Sequence, residues 1–185
     1  MNLKNFCLSV PNSLDESICD KLIETFRLNS SYHERYENNF APQFTQFKFT
    51  DNRHLNPALH RACELAALNA IEIYQKNVNE TKYWPSEYGF ESFRIKHYNP
   101  NNNDQFAEHV DVGGIDSMKR FLAFFWYLND VDIGGETEFL NFNLVNKPIK
   151  GTLFMFPPLW MYPHRGHPAV SSEKFLLSSY LHYIK

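Results

Sequence analysis

The spacing of apolar residues changes character about halfway along the chain. In the first third, Leu14, Ile18, Leu22 and Phe26 recur at four-residue steps, which lays one apolar stripe along a helix. Ser13 and Glu16 form a capping-box pattern at its start, predicting a helix from there to about Asn29. Phe44 to Thr50 alternates apolar and polar residues and reads as a strand. Asn56-Pro57 opens a second helix, with Asn as cap and Pro at the first helical position. That helix runs to about Asn77, with Leu59, Ala62, Ala66, Ile73 and Tyr74 expected to face inward. From residue 88 the texture becomes short β-rich runs: Phe90 to Tyr98, Phe121 to Leu128, Glu136 to Leu140, Gly151 to Phe156, and Phe175 to Ile184. Asn99 to Asn103, Asn129-Asp130, Gly134-Gly135 and Pro157-Pro158 separate them. Strands so short and so punctuated predict an antiparallel sandwich or jelly roll. The helical third would buttress one sheet, giving an α+β, mainly β fold.

Composition narrows the class. At 185 residues the chain has the length of one domain with a sizeable core. We expect a single unit over 1–185, with 1–87 a helical support region and 88–185 the catalytic core. The 17 Phe and 10 Tyr suit a sheet-rich core, because aromatics pack well on pleated surfaces. A net charge of -3 and the lack of a basic stripe disfavour a nucleic-acid partner. No apolar run approaches the ~20 residues of a membrane span, so no membrane partner is expected. The N-terminus lacks a signal-peptide pattern, and Cys7, Cys19 and Cys63 match no zinc motif. Free thiols in a reducing, cytoplasmic setting are the expectation.

Candidate chemistry lies in the second half. In an extended chain His109 and Asp111 point the same way and can converge on one metal. Alone, His-x-Asp is a weak signal. His164 follows a strand-like run and the Pro-Pro break, and two His with one carboxylate make a facial triad that leaves three metal positions open. A chelating 2-oxo acid and O₂ would use those three. The far carboxylate of such an acid needs a cation, and Lys174, ten residues beyond His164, is placed to supply it.

The segment from Tyr98 onward resembles the prolyl 4-hydroxylase-like family of 2-oxoglutarate- and Fe(II)-dependent dioxygenases. The resemblance rests on Tyr98, His109-Val110-Asp111, Gly134-Gly135-Glu136-Thr137-Glu138-Phe139, His164-Arg165-Gly166-His167-Pro168 and Lys174, in that order. Phe175 and Tyr180-Leu181-His182 continue it. The resemblance implies a double-stranded β-helix (jelly roll) with the N-terminal helices packed on one sheet. It implies His109, Asp111 and His164 as iron ligands, Lys174 on the distal carboxylate of 2-oxoglutarate, and Tyr98 and Thr137 in the cosubstrate pocket. The spacing to Lys174, with Gly166 and Pro168, selects His164 over His167. His97 faces away from Tyr98 along a strand and is not taken as a ligand. Arg94 and His182 are candidates for the substrate side; Trp126 and Tyr127 read as core. Two positions and one loop depart from the family pattern: Ser172 and Ala169 replace the usual Gly and Val, and the loop between Tyr98 and His109 is slightly longer.

The implied cofactors are Fe(II), 2-oxoglutarate and O₂, with ascorbate as an optional addition. The implied reaction hydroxylates an unactivated C–H bond while 2-oxoglutarate becomes succinate and CO₂. The resemblance favours a peptidyl proline, although the scaffold also serves small molecules and free amino acids. Rival readings are a cupin-like metal hydrolase or isomerase, a non-catalytic metal-binding jelly roll, and a nucleic-acid demethylase. The first has no use for Lys174 or Tyr98, intact ligands argue against the second, and the acidic balance against the third. Oligomeric state is not legible.

Overall fold

Alternation along the last strand organises the structure. The computed structural model describes residues 2–37 and 42–184. In chain order its strands are β1 (Leu8–Val10), β2 (His33–Glu37), β3 (Gln43–Lys48), β4 (Tyr88–Phe90), β5 (Arg94–Tyr98) and β6 (Phe106–His109). They continue as β7 (Arg120–Tyr127), β8 (Thr137–Phe139), β9 (Leu144–Asn146), β10 (Leu153–Phe156), β11 (His164–Gly166) and β12 (Lys174–Tyr183). The helices are α1 (Glu16–Leu28) and α2 (Pro57–Asn77). The larger sheet runs β1-β10-β7-β12-β5-β3-β2, with β4 also on β12; the smaller runs β6-β11-β8-β9. Their paired strands are antiparallel throughout.

Phe175, Leu177 and Leu181 of β12 point to one face of the larger sheet. There they join Phe124 and Trp126 of β7 and Leu153 and Met155 of β10, against Cys19, Leu22 and Phe26 of α1 and Cys63, Ala67 and Ile71 of α2. Leu176 and Tyr180 point to the other face and meet Tyr98, Phe125, Tyr127, Phe154 and Phe156, with Phe139 from the smaller sheet. Period-2 side-chain geometry thus builds two cores back to back: helices outside, jelly-roll interior inside. This is the mainly β, α+β jelly roll expected. Trp126 and Tyr127 are both fully buried, one in each core.

Local expectations fare unevenly. α2 begins at Pro57 with Asn56 Oδ1 accepting from Leu59 N–H, as predicted. Its buried face is turned from the expected one: Leu59, Cys63, Ala67, Ala70, Ile71 and Tyr74 are inside, while Ala62, Ala66 and Ile73 flank it. The predicted Ser13 cap is wrong. The Ser13 and Leu14 N–H groups donate to the Gly151 carbonyl, and Ser13 Oγ accepts from Trp126 Nε1. The cap is Asp15, which accepts from Ser17 N–H at 2.8 Å. Gly151 is not in a strand either. Its φ is +74°, and a Cβ there would stand 2.6 Å from the Leu14 carbonyl oxygen. The predicted run from Phe90 to Tyr98 breaks into β4 and β5.

The first third also supplies β1, β2 and β3, two of which were not expected. Cys7, Cys19 and Cys63 are free thiols, and burial pushes Cys19 to about 11 and Cys63 to about 12. Among the described residues no helix is long and apolar enough to cross a membrane. Residues 38–41 lie outside the described residues; on either side of them, Tyr36 and Phe44 line a cleft beside the site.

Candidate active site

β6 and β11 are neighbours, and their register sets His109 directly opposite His164. The ring centroids are 4.2 Å apart. His109 Nδ1 lies 2.8 Å from the Ala107 carbonyl and His164 Nδ1 3.0 Å from the Tyr162 carbonyl. A carbonyl only accepts, so each Nδ1 carries the proton and each Nε2 keeps a free lone pair. Both free nitrogens turn toward Asp111: His109 Nε2 is 3.6 Å from Oδ1 and His164 Nε2 is 3.9 Å from Oδ2. One ligand atom from each residue lies within 4.8 Å of the others.

Asp111 arrives differently from the sequence expectation. β6 ends at His109, so a bend rather than strand alternation delivers the carboxylate. Tyr180 holds it, donating its hydroxyl to Asp111 Oδ1 at 2.9 Å, while Arg120 Nη1 donates to the Asp111 carbonyl at 3.2 Å. Arg120 in turn lies 4.0 Å above the Tyr180 ring and is bonded to Glu91 at 2.6 and 2.9 Å.

The electrostatics suit a cation. Burial opposes the Asp111 charge, but the neighbouring His109, His164 and Lys96 outweigh it and hold the carboxyl well below its usual range. Burial, reinforced by His109, lowers His164 to about 4, so it is a neutral imidazole at pH 7. Phe106 stacks on His109 at 3.5 Å, and Phe139 and Phe156 enclose His164.

Lys174 is 1% exposed and stands opposite Tyr98 across β12 and β5. Its Nζ donates to the Gly135 carbonyl at 3.0 Å and lies 4.3 Å over the Tyr98 ring. Among the described residues no carboxylate comes within ion-pair distance of it. Burial lowers it to about 7, with Glu136 opposing and Lys96 assisting. Gly134 and Gly135, at φ +78° and +76°, turn the chain so that the Gly135 carbonyl meets the ammonium. A Cβ on Gly166 would stand 3.7 Å from Lys174 Nζ, so the missing side chain leaves room beside the charge.

His109, Asp111, His164, Tyr98, Thr137 and Lys174 line one cavity. Thr137 Oγ1 is 2.9 Å from the Tyr127 hydroxyl. Burial and the Asp111 charge raise the Tyr98 phenol, so it stays protonated. Arg94 lies outside this cavity, in an adjoining cleft, bonded to Glu91 at 3.3 Å. His182 reaches neither. A register shift between Leu181 and His182 breaks the alternation, and its ring packs against Gly89. His167 is on the outer face with Glu138 at 2.7 Å, and His97 stacks on Phe175 under the helices. The sequence reading does not single out Lys96, Phe106 or Arg120, and it names Tyr180 only within the last stretch of the resemblance, with no role. Parity carried a signal for two of them: Lys96 is two before Tyr98, and Tyr180 six past Lys174.

A family model described as the 2OG-Fe(II) oxygenase superfamily matches residues 93–182. Those residues belong to that superfamily. The oxygenase region holds β5 to β12 up to His182, and so the whole triad and Lys174. Its cofactors are Fe(II), 2-oxoglutarate and O₂. Two imidazoles and a carboxylate suit that ion, and an unpaired buried ammonium beside an open cradle suits an anion.

Solved structures share the oxygenase fold. The 2OG complex of the viral collagen prolyl hydroxylase from Paramecium Bursaria Chlorella virus-1 superposes with a TM-score of 0.73 at 21% identity, covering 97% of each chain. A Trichoplax adhaerens prolyl hydroxylase, in complex with a hypoxia inducible factor oxygen degradation domain peptide fragment, gives 0.72 at 16% identity, over 96% of this chain and 84% of that one. A Pseudomonas putida prolyl-4-hydroxylase gives 0.66 at 19%, over 97% and 94%. No curated protein sequence matches the chain.

Proposed function

We propose that the protein is an Fe(II)- and 2-oxoglutarate-dependent hydroxylase of a C–H bond, acting on a prolyl or similar residue of a peptide. His109, Asp111 and His164 hold the metal, and Lys174 and Tyr98 hold the distal carboxylate of 2-oxoglutarate, with Thr137 in the same pocket. The observation that carries this reading is the buried Lys174 ammonium. It has no carboxylate partner among the described residues, and it lines the cavity of the two facing imidazoles and Asp111. A cation that costs so much to bury is expected where an anion comes to meet it. The peptidyl substrate draws on the fold shared with prolyl hydroxylases. We read 1–185 as one unit, in which 88–185 carries the chemistry and 1–87 supports it from the outer face and edges of the larger sheet.

When bound, iron(II) and 2-oxoglutarate with O₂ supply the oxidation, placing one oxygen atom in the substrate as hydroxyl and the other in succinate as CO₂ leaves. The chain's own part is binding and enclosure. The two Nδ1–H bonds fix the ring planes of His109 and His164. Tyr180 and Arg120 orient Asp111. Phe106, Phe139 and Phe156 keep water from the imidazoles, so the site is dry where charge must be held.

The test is turnover of 2-oxoglutarate with Fe(II) across proline peptides, free amino acids and nucleotides, with metal and 2-oxoglutarate binding measured alongside. Succinate should form in step with hydroxylated product. His164→Ala should lose the metal. Lys174→Met should keep it while 2-oxoglutarate binds roughly ten- to a hundredfold more weakly, as for losing a charged hydrogen bond. Wild-type affinity in Lys174→Met would defeat the cosubstrate assignment.

A further inference from the structure

We propose that the cleft beside the metal cavity selects a substrate bearing a carboxylate close to the carbon to be hydroxylated, with Lys96 as its anchor and Arg94 and Arg120 in support. The proposal rests on the oxygenase reading above and narrows its substrate. The cleft has a volume of about 460 Å³, and Lys96, Phe106, His109, Asp111 and Tyr180 line both it and the metal cavity. A group held in one is therefore next to the other.

The cleft's charges do not balance. Its wall carries four cations: Lys48, Arg94, Lys96 and Arg120. Two carboxylates answer them, apart from Asp111, which is committed to the metal. Glu34 takes Lys48 at 2.8 Å, and the single carboxylate of Glu91 is shared by Arg94 and Arg120. Lys96 has none within ion-pair distance among the described residues. Its Nζ rests instead over the rings of Phe44 at 5.1 Å and Phe106 at 5.8 Å. Cation–π contact stabilises an ammonium less than a carboxylate does once water is excluded. Lys96 and the arginine pair thus leave a standing excess of positive charge at the rim of the metal cavity, which an anionic ligand would offset.

That anion is not the distal end of the cosubstrate. Lys174 faces Tyr98 in register, whereas Lys96 faces Leu176, two residues further along β12. The strands therefore present two separate ammonium positions on one face, with the triad beside them: one for the cosubstrate's far end and one toward the cleft. Phe44 and Tyr36, stacked with centroids 5.1 Å apart, and Phe106 add an apolar wall for the carbon skeleton that carries the acid. The same chemistry arises from a free amino or organic acid and from an Asp or Glu flanking the target in a peptide.

The experiment uses the full chain loaded with Mn(II) and 2-oxoglutarate under argon for calorimetric binding, and with Fe(II) in air for succinate release. The probes are the free L-amino acids against their carboxamides, and proline peptides flanked by Asp or Glu against Asn or Gln. Each compound that binds and stimulates turnover should bear the carboxylate, and its amide should bind roughly ten- to a hundredfold more weakly. In Lys96→Met this acid-to-amide ratio should collapse, and Lys96→Arg should restore part of it; melting curves check that the variants fold. The wild-type ratio alone tests the idea if they do not. The free-acid and peptide arms tell the two sources apart. Equal binding of acid and amide overturns the proposal. So does a protein that binds metal and 2-oxoglutarate but none of the panel, or a Lys96→Met that weakens 2-oxoglutarate while the ratio stands. Failure to bind metal and 2-oxoglutarate would instead overturn the oxygenase reading beneath it.

Discussion

A lysine with an ordinary value of 10.5 that burial has brought to about 7 behaves as a proton-linked receptor. Above pH 7 the free protein has largely lost the Lys174 proton, yet pairing with a carboxylate needs it. Binding of 2-oxoglutarate then takes up a proton, and affinity falls as pH rises. Calorimetry on Mn(II)-loaded protein should show roughly tenfold weaker binding per pH unit between pH 7.5 and 8.5, with proton uptake revealed by varying the buffer. A flat profile from pH 7 to 9 would remove Lys174 from the role. The same shift acts on the empty protein with a definite sign. Between about 7 and 10.5 the unfolded chain holds more protons on this lysine than the folded one, so its contribution to stability rises with pH across that window and is lost as pH falls through 7. Tyr180 belongs to the same scale: burial and Asp111 raise its phenol well above 10, so it keeps the proton it donates to that carboxylate.

Between β5 and β6 the chain makes a 3-10 turn, Pro100–Asn102, followed by Asn103 at φ 55° and the buried Asp104. The loop is clamped rather than loose. Asp104 accepts from Asn99 N–H at 3.0 Å and takes both prongs of Arg35, on β2, at 2.7 and 2.8 Å. Arg35→Ala leaves that carboxylate buried without its partner and should cost about 2 kcal/mol, below the fully buried range because Arg35 is itself partly exposed. Denaturant midpoints would measure it, and an unchanged midpoint would refute the clamp. Arg35→Lys should recover only part, since a point charge cannot make the fork. Legibility from sequence follows the same local logic. α2 was readable because Asn56-Pro57 is a start signal whose hydrogen-bond partners, Arg53, Leu59 and His60, all lie within four residues. Ser13 misled because its backbone and hydroxyl are taken by Gly151 and Trp126, more than a hundred residues away. β1, β6, β9 and β11 hold three or four residues each, too few for alternation to register, yet β6 and β11 carry both histidines. The triad was visible through its spacing. Lys96, Arg120 and Glu91 were not, because cross-strand register and the fold around Asp111 bring them in.

At the scale of the molecule, the larger sheet separates two jobs. Its outer face carries the helices and most of the aliphatic core; its inner face carries the aromatic interior and the site. A ligand held only by the folded inner face should therefore stabilise the whole. At 100 times its dissociation constant, one such ligand adds roughly 2.7 kcal/mol, which for a chain of this size raises Tm by about 5–10 °C. Mn(II) with 2-oxoglutarate should give such a rise in a melting scan, and a chelator should reverse it; no shift at saturation would speak against a metal centre built into the fold. β12 makes the division sharpest, because odd and even positions of one ribbon answer to different masters. A single-residue deletion just ahead of Lys174 would roll the ribbon over, driving the ammonium under the helices and Phe175 into the catalytic chamber. Evolution can tinker with either side of this plank one tooth at a time, but it cannot shift the comb.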